Sequence, residues 1–364
     1  MQPLISVIIP LYNGEKYIVK CLDSIREQRY FPVEIIIVND ASPDNSVEII
    51  KEYGEINSIP VKNFTDTMKE SNVETVQNRV AEYNMKTAQN SLTENSIKIV
   101  LVSKKNQGQG AARNTGVEMA SGKYLTFLDQ DDTLEPGILQ KMVETAEKEN
   151  ADIVSAGYRR VTPDGKVTQE VRLQQTEWSK YKVIAPWSKL YRTEFIKKNS
   201  INFLSVVLGE DIYFLMQAYS YAPKVAFLGD IGYNWLDNAT SVSNTAHKEL
   251  AEDTSLLKLY EMLEALENRE VLKKDKLYEY FLLKTAIWDI LYTSRSNAYQ
   301  TVLANNAKIW EWFEHHFENY KKNPYVRIGK PQGESLAIRM IVWGYMKIKK
   351  WRLEKLFLRI LSRK

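Results

Sequence analysis

Cysteine is nearly absent: Cys21 is the only one in 364 residues, so no intramolecular disulfide holds this chain together. Histidine is scarce as well, and His247, His315 and His316 leave little material for a zinc site. Both scarcities fit a reducing, cytosolic setting. Long apolar runs are missing too. No stretch of about 18 uncharged apolar residues occurs, which speaks against a membrane-spanning helix. The opening MQPLISVIIPLYNGEKYI has no basic residue ahead of its short apolar run and reads as a buried strand, not a signal peptide. Nor does one sign of charge dominate. The 49 Lys and Arg against 46 Asp and Glu give a net +3, which argues against a generally basic nucleic-acid binder.

What is present suffices for a sizeable core: 44% of residues are hydrophobic and 26% charged, enough for one large domain or two. Through residue 155, short β-branched runs (5–9, 34–38, 97–102, 124–128, 152–155) alternate with helix-period segments (14–28, 44–53, 109–120, 135–149). That alternation is the pattern of βαβ units. Runs apolar on both strand faces predict a mostly parallel sheet flanked by helices. Pro136 falls where a first helical turn tolerates a missing N–H. A long polar insert, 54–96, carries no strand-like run; 73–89 is expected to be partly helical and the whole a surface excursion. A hairpin is expected around Pro163-Asp164-Gly165-Lys166, and a helix from near Glu210. Beyond 247 the pattern is helical, over 250–266, 275–293 and 300–319. The expected organisation is an α/β domain over 1–246, a helical region over 247–334 and a closing segment over 335–364.

The residues that could carry chemistry sit at the ends of these runs. In Lys123-Tyr-Leu-Thr-Phe-Leu-Asp129-Gln-Asp131-Asp132 a core strand runs into three carboxylates, an arrangement that is costly unless a cation joins them. A solvated turn, with Asp132 capping the next helix, is the plainer reading of any isolated Asp-x-Asp. Asp40 ends the second strand in the same way and could accept hydrogen bonds from a base or ribose, whereas Asp44 suits a helix cap. The segment Asn106-Gln-Gly108-Gln-Gly110-Ala-Ala-Arg113 nearly imitates a dinucleotide fingerprint, but Arg113 stands where the third glycine would allow close helix packing. An Arg one turn into a helix suits a diphosphate clamp, or else pairs with a nearby acid. Glu210 and Asp211 fall at a helix start, where the dipole favours acids and where a general base could sit. Trp187 could stack on a sugar beside Lys189, and a core Trp fits equally well.

Taken in order, Ser6-Val-Ile-Ile-Pro10-Leu-Tyr12-Asn13-Gly14-Glu15, Val38-Asn39-Asp40, Ala111-Ala-Arg113-Asn114-Thr-Gly116, Phe127-Leu-Asp129-Gln-Asp131-Asp132 and Gly209-Glu210-Asp211 resemble glycosyltransferase family 2, over about residues 4–243. The resemblance implies a GT-A fold, a Rossmann-like nucleotide-diphospho-sugar transferase architecture with a helical extension here. It also implies a nucleotide-sugar donor, a divalent Mn²⁺ or Mg²⁺ and inversion at the anomeric carbon. By the same resemblance, Pro10, Tyr12 and Glu15 would line the nucleotide pocket and Asp40 would read the base. Arg113 would neutralise the diphosphate, Asp129 would face ribose and sugar, Asp131 would bind the metal, and Asp132 would hold the donor sugar or the motif's shape. Asp211 would be the base, with Glu210 orienting its surroundings; from the residues themselves, Trp187 and Lys189 are the candidates to meet the acceptor. Two departures stand out: the 54–96 insert, and Leu236-Asp237 where a basic residue often follows the aromatics.

Charge is also unevenly spread. Residues 335–364 hold nine basic residues and one acid, a local +8 that leaves −5 for residues 1–334. Mixed with Trp343, Trp351, Leu353, Phe357 and Ile360, this is the composition of an amphipathic segment on an anionic membrane surface, or of a helix packed on the body with its basic face solvated. The segment and the resemblance together suggest a cytoplasmic enzyme at the inner membrane face, extending a polyprenyl-diphosphate-linked glycan of capsule, exopolysaccharide or O-antigen type. A nucleotidyltransferase and a non-catalytic subunit of an assembly complex are the rival readings; nucleic acid is the weakest partner.

Overall fold

A computed structural model describes residues 2–64, 96–204, 209–237, 256–272 and 275–362. The chain divides into two compact units. The first comprises Met1–Gln175, Ile184–Val206 and Glu210–Asp237, and the second Thr176–Val183, Val207–Gly209 and Asn238–Lys364. The boundary expected at 246 and the helix expected over 73–89 lie outside the described residues.

In the first unit the apolar runs become strands because nothing polar interrupts them. In β1 (Ile5–Leu11), β2 (Val33–Asn39), β4 (Ile97–Ser103) and β5 (Tyr124–Phe127) nearly every residue is buried, as a sheet covered on both faces requires. Helix α1 (Ile18–Arg26) buries Ile18, Cys21, Leu22 and Ile25, the spacing of one helical face. Helices α2 (Ser46–Ile56), α3 (Gln109–Met119) and α4 (Ile138–Glu149) follow β2, β4 and β5 in turn.

Among the described residues ten strands form one sheet. The order is β3 (Val61–Asn63), β4, β2, β1, β5, β9 (Lys189–Arg192), β7 (Ile153–Val161), β10 (Val225–Leu236) and β6 (Thr133–Leu134), with β8 (Val167–Val171) paired to β7. The first five run parallel. Successive strands wind outward from β1 through β2 to β4, then return to β5 on the other side of β1, so the order switches there and a crevice opens beyond the carboxyl ends. The β7–β8 hairpin closes through Thr162 and Lys166, with Gly165 at φ +86°, where the sequence placed it. Helices α5 (Thr193–Lys198) and α6 (Glu210–Tyr221) complete the unit. Phe127 meets Tyr191, Phe203 and Phe214 edge-on at 5.2–5.8 Å, an aromatic core beneath the carboxyl ends.

Two expectations need correction. The insert is not wholly an excursion, because α2 runs to Ile56 and Val61–Asn63 adds an edge strand in register with Ile99–Leu101. Three residues carry too little periodicity to reveal themselves. Pro136 precedes its helix instead of opening it, and Gly137 at φ +74° turns the chain into Ile138.

The second unit is helical: α7 (Leu256–Asn268), α8 (Lys276–Ser294), α9 (Tyr299–His316), α10 (Leu336–Lys350) and α11 (Glu354–Leu361). The Asp275 side chain accepts from the amides of Leu277 and Tyr278 and so starts α8. Trp178 packs edge-on to Tyr280 at 5.2 Å, and Tyr181 stacks on Phe281 at 4.9 Å. No helix among the described residues is long and apolar enough to cross a membrane.

Candidate active site

The parallel strands bring four chain segments to one edge of the sheet: 12–15 after β1, 40–44 after β2, 104–108 after β4 and 128–132 after β5. Backbone geometry at this edge is tight. Asn13 and Ala41 hold φ of +55° and +58°, and the amides of Asn13, Gly14 and Glu15 donate to Ser42, Ser46 and Asp44. Asp44 also accepts from Ser42, Ser46 and the Ser46 amide; burial opposes these bonds, but they hold its carboxyl below the ordinary range. Its structural role at the start of α2 is the expected one. Pro10 is buried in β1 opposite Val38, Tyr12 is exposed, and Glu15 accepts from the Asn45 amide.

Asp40 is buried, and its oxygens accept from Lys104 Nζ at 3.0 Å and from the amides of Gln107 and Gly108 at 3.0 and 2.8 Å. The residue expected to read a base therefore pins the 104–108 loop that leads into α3. That loop ends at Gly108 with φ +87°. A Cβ on Gly110 would stand 2.4 Å from the Leu204 carbonyl oxygen, and one on Gly116 2.3 Å from Ile8. Close packing of α3, which the sequence pattern assigned to the missing third glycine, is thus supplied one turn later by Gly116.

Arg113 follows from that packing. It is 1% exposed, its guanidinium lies 5.3 Å over the Phe203 ring, and it donates through Nη1 to Asp211 Oδ1 and through Nη2 to Asp129 Oδ1, both at 2.7 Å. Its Nε meets no partner among the described residues. Burial works against its charge, but Asp129 and Asp211 outweigh burial and push its pKa up. Arg113 was expected to clamp a diphosphate; here both of its terminal nitrogens donate to carboxylates, one of them 98 residues away.

The acidic turn is built by side chains the sequence reading passed over. Gln130, the middle residue of Asp-x-Asp, accepts from the Tyr12 amide and donates to the Tyr12 carbonyl, at 2.8 and 2.6 Å. Tyr233 accepts from the Asp129 amide and donates to Asp132 Oδ2 at 2.6 Å; the Leu236 amide donates to Asp132 Oδ1. Asp132 therefore holds the motif's shape. Burial first, then Asp131 and Asp129, raises its carboxyl well above the usual range. Asp131 is partly open, and burial with the neighbouring Asp129 lifts it to about 6. Gln109 also donates to Asp129. A cation beside Strand β4, such as Lys104, was the one signal in the sequence that could have revealed the partner of Asp40.

Asp211, 30% exposed at its side chain, opens α6 beside Glu210. Burial raises Asp211 above its ordinary range, against Arg113. Burial and then Asp211 push Glu210 up to about 8. Trp187 and Lys189, expected at an acceptor, face the interior. Trp187 is 8% exposed and stacks on Tyr233 with centroids 4.4 Å apart. Lys189 is buried and donates to the Ala185 carbonyl at 2.7 Å, and burial lowers it to about 7 while Asp211 opposes that fall.

No group of three His, Cys, Asp or Glu side chains able to hold a metal occurs among the described residues. A divalent ion would take one or two hard carboxylate oxygens here and the rest from water and a bound phosphate, the manner in which Mg²⁺ is commonly held. Asp131, partly open at the end of the turn, offers such an oxygen once its carboxyl is ionised.

A model of glycosyl transferase family 2 matches residues 6–70 and 82–205. The uncharacterized glycosyltransferase EpsJ of Bacillus subtilis is 28% identical over 72% of this chain and 69% of its own length. A second protein of that organism, named "Putative glycosyltransferase EpsH", is 30% identical over 71% of this chain and 67% of its own. Among solved structures, Staphylococcus aureus TarS 1–349 in complex with UDP-GlcNAc superposes with a TM-score of 0.60 at 20% identity, covering 97% of this chain and 92% of that one. The architecture is thus the GT-A fold that the motifs implied.

Proposed function

Because this chain belongs to glycosyl transferase family 2, we propose that it is an inverting, metal-dependent hexosyltransferase that moves a sugar from a UDP-linked donor to a hydroxyl of a glycan acceptor carried on a polyprenyl diphosphate. The observation that carries this reading is the Arg113 bridge, which joins the acid turn after β5 to the first turn of α6 through one guanidinium. Two acids so held have distinct tasks. Asp131 would hold the divalent ion, and Asp211 faces the acceptor. When bound, that ion supplies positive charge to the departing nucleoside diphosphate.

The rest is the work of this chain's own side chains. Asp211 takes the proton of the acceptor hydroxyl as its oxygen bonds to the anomeric carbon from the face opposite the leaving group. The bond from that carbon to the diphosphate breaks, and its electron pair leaves with the nucleoside diphosphate. A carboxyl raised by burial is matched to this proton transfer better than an ordinary one. Arg113 keeps Asp211 aimed and able to ionise. Asp129 faces the ribose and donor sugar, with Asp132 and Tyr233 fixing the turn. Pro10, Tyr12 and Glu15 border the base, and Asp40 shapes the pocket through the 104–108 loop. Support for UDP as the donor nucleotide comes from TarS, the structure of which holds UDP-GlcNAc.

Release of nucleoside diphosphate from UDP-, GDP- and dTDP-sugars, with Mn²⁺, Mg²⁺ or neither, tests the reading against Asp131→Ala and Asp211→Asn. Turnover of a UDP-sugar only with metal, abolished in both variants, is the expected outcome. Pyrophosphate release from a nucleoside triphosphate would replace this reading with nucleotidyl transfer. Turnover that persists in Asp211→Asn would remove Asp211 as the base.

A further inference from the structure

Helices α10 and α11 divide their side chains between two sides. On one, Val342, Tyr345, Met346 and Leu358 are buried, and Lys349 lies 4.1 Å over the Trp310 ring. Glu354, the segment's single acid, is turned to this side, where it accepts from Tyr345 and Trp310 at 2.7 and 2.8 Å. On the other side stand Leu336, Met340 and Trp351 of α10 and its end, and Leu353, Leu356 and Ile360, spaced by three and four residues along α11. Trp351 is 63% exposed and Ile360 74%. Of fifteen large apolar side chains exposed among the described residues, seven lie within 336–360, including Ile341. Single exposed apolar groups are ordinary, but such a concentration marks an interaction surface.

Its charge decides the partner. Lys350, Arg352, Lys355 and Arg359 are exposed among these apolar groups, and no acid faces outward with them. A second copy of the same face would set like charges against each other, and nucleic acid, which could stack only on Trp351, would leave Leu353, Leu356 and Ile360 without an apolar partner. We propose that this face seats on a bilayer with acidic headgroups, its leucines, isoleucine and tryptophan entering the headgroup–acyl boundary while the cations contact lipid phosphates. Neither helix spans the bilayer: α10, with 15 residues, is about 22 Å long against a hydrocarbon core of about 30 Å. Both lie in its plane. This surface deepens the transferase reading by naming where a lipid-linked acceptor is met, yet binding needs no turnover, so either reading can fail alone.

The test is co-sedimentation of the full chain with vesicles of phosphatidylcholine, with and without phosphatidylglycerol, in low and high salt. Binding should be at least about tenfold tighter to the acidic vesicles and weaken in salt. The triple change Arg352→Glu, Lys355→Glu, Arg359→Glu and the pair Leu356→Ser, Ile360→Ser should each lose about tenfold, with thermal melts unchanged because these side chains are exposed. Asp211→Asn should bind like the wild type. Equal binding to both vesicles, binding unaltered by the surface changes, or a concentration-dependent dimer abolished by them would overturn the proposal, the last in favour of a second copy.

Discussion

An arginine 1% exposed between two carboxylates is not removed without leaving charge uncompensated in the interior. Arg113→Ala should cost about 3 kcal/mol in chemical denaturation. It should also lower kcat about 100-fold, more than it raises the donor KM, since a misaimed base impairs the reaction before it impairs binding. Arg113→Lys retains charge without the fork and should fall between; a kcat equal to wild type in the alanine variant would refute the positioning role. Glu210 gives a pH signature. Its pKa rises from 4.5 to about 8 on folding, so the native state holds its proton more tightly, and its contribution to stability is complete below 4.5 and lost as pH climbs through 8. Each unit is worth about 1.4 kcal/mol, so wild type should lose a few kcal/mol relative to Glu210→Gln across that window. Parallel stability profiles would show that Glu210 is not perturbed.

At the scale of elements, α3 is the part whose placement governs the site. Its N-terminal turn approaches residues 203–204 closely enough that a methyl group at Gly110 would collide with a backbone oxygen, which cannot rotate away. Gly110→Ala should therefore destabilise by about 2 kcal/mol and reduce turnover by displacing Arg113, while a surface change such as Lys166→Ala leaves both intact. Stability and activity unchanged in Gly110→Ala would mean that α3 has room to shift. Most of this element was legible, because Gly108 and Gly110 after an apolar run announce a strand, a turn and a helix start. The partner of that helix was not, since Leu204 belongs to no motif. The edge strand Val61–Asn63 was illegible for a different reason: three residues give no alternation to count.

Across the whole molecule, β-branched runs and helix-period segments determined the parallel sheet, its carboxyl-end acids and the helical second unit, because each depends on neighbours a few residues apart. The order of the motifs determined the family on the same local grounds. Tertiary structure alone decided which charges pair. Arg113 meets Asp211 across 98 residues, Tyr233 reaches Asp132 across 101, and Trp187 turns inward onto Tyr233. It also decided that Glu354 and Lys349 face inward while Lys350, Arg352, Lys355 and Arg359 face out. Chain spacing fixes what kinds of group stand at the end of a strand or helix. Which of them share a guanidinium, a phenol or a common face depends on distances that only the packed sheet and helices set.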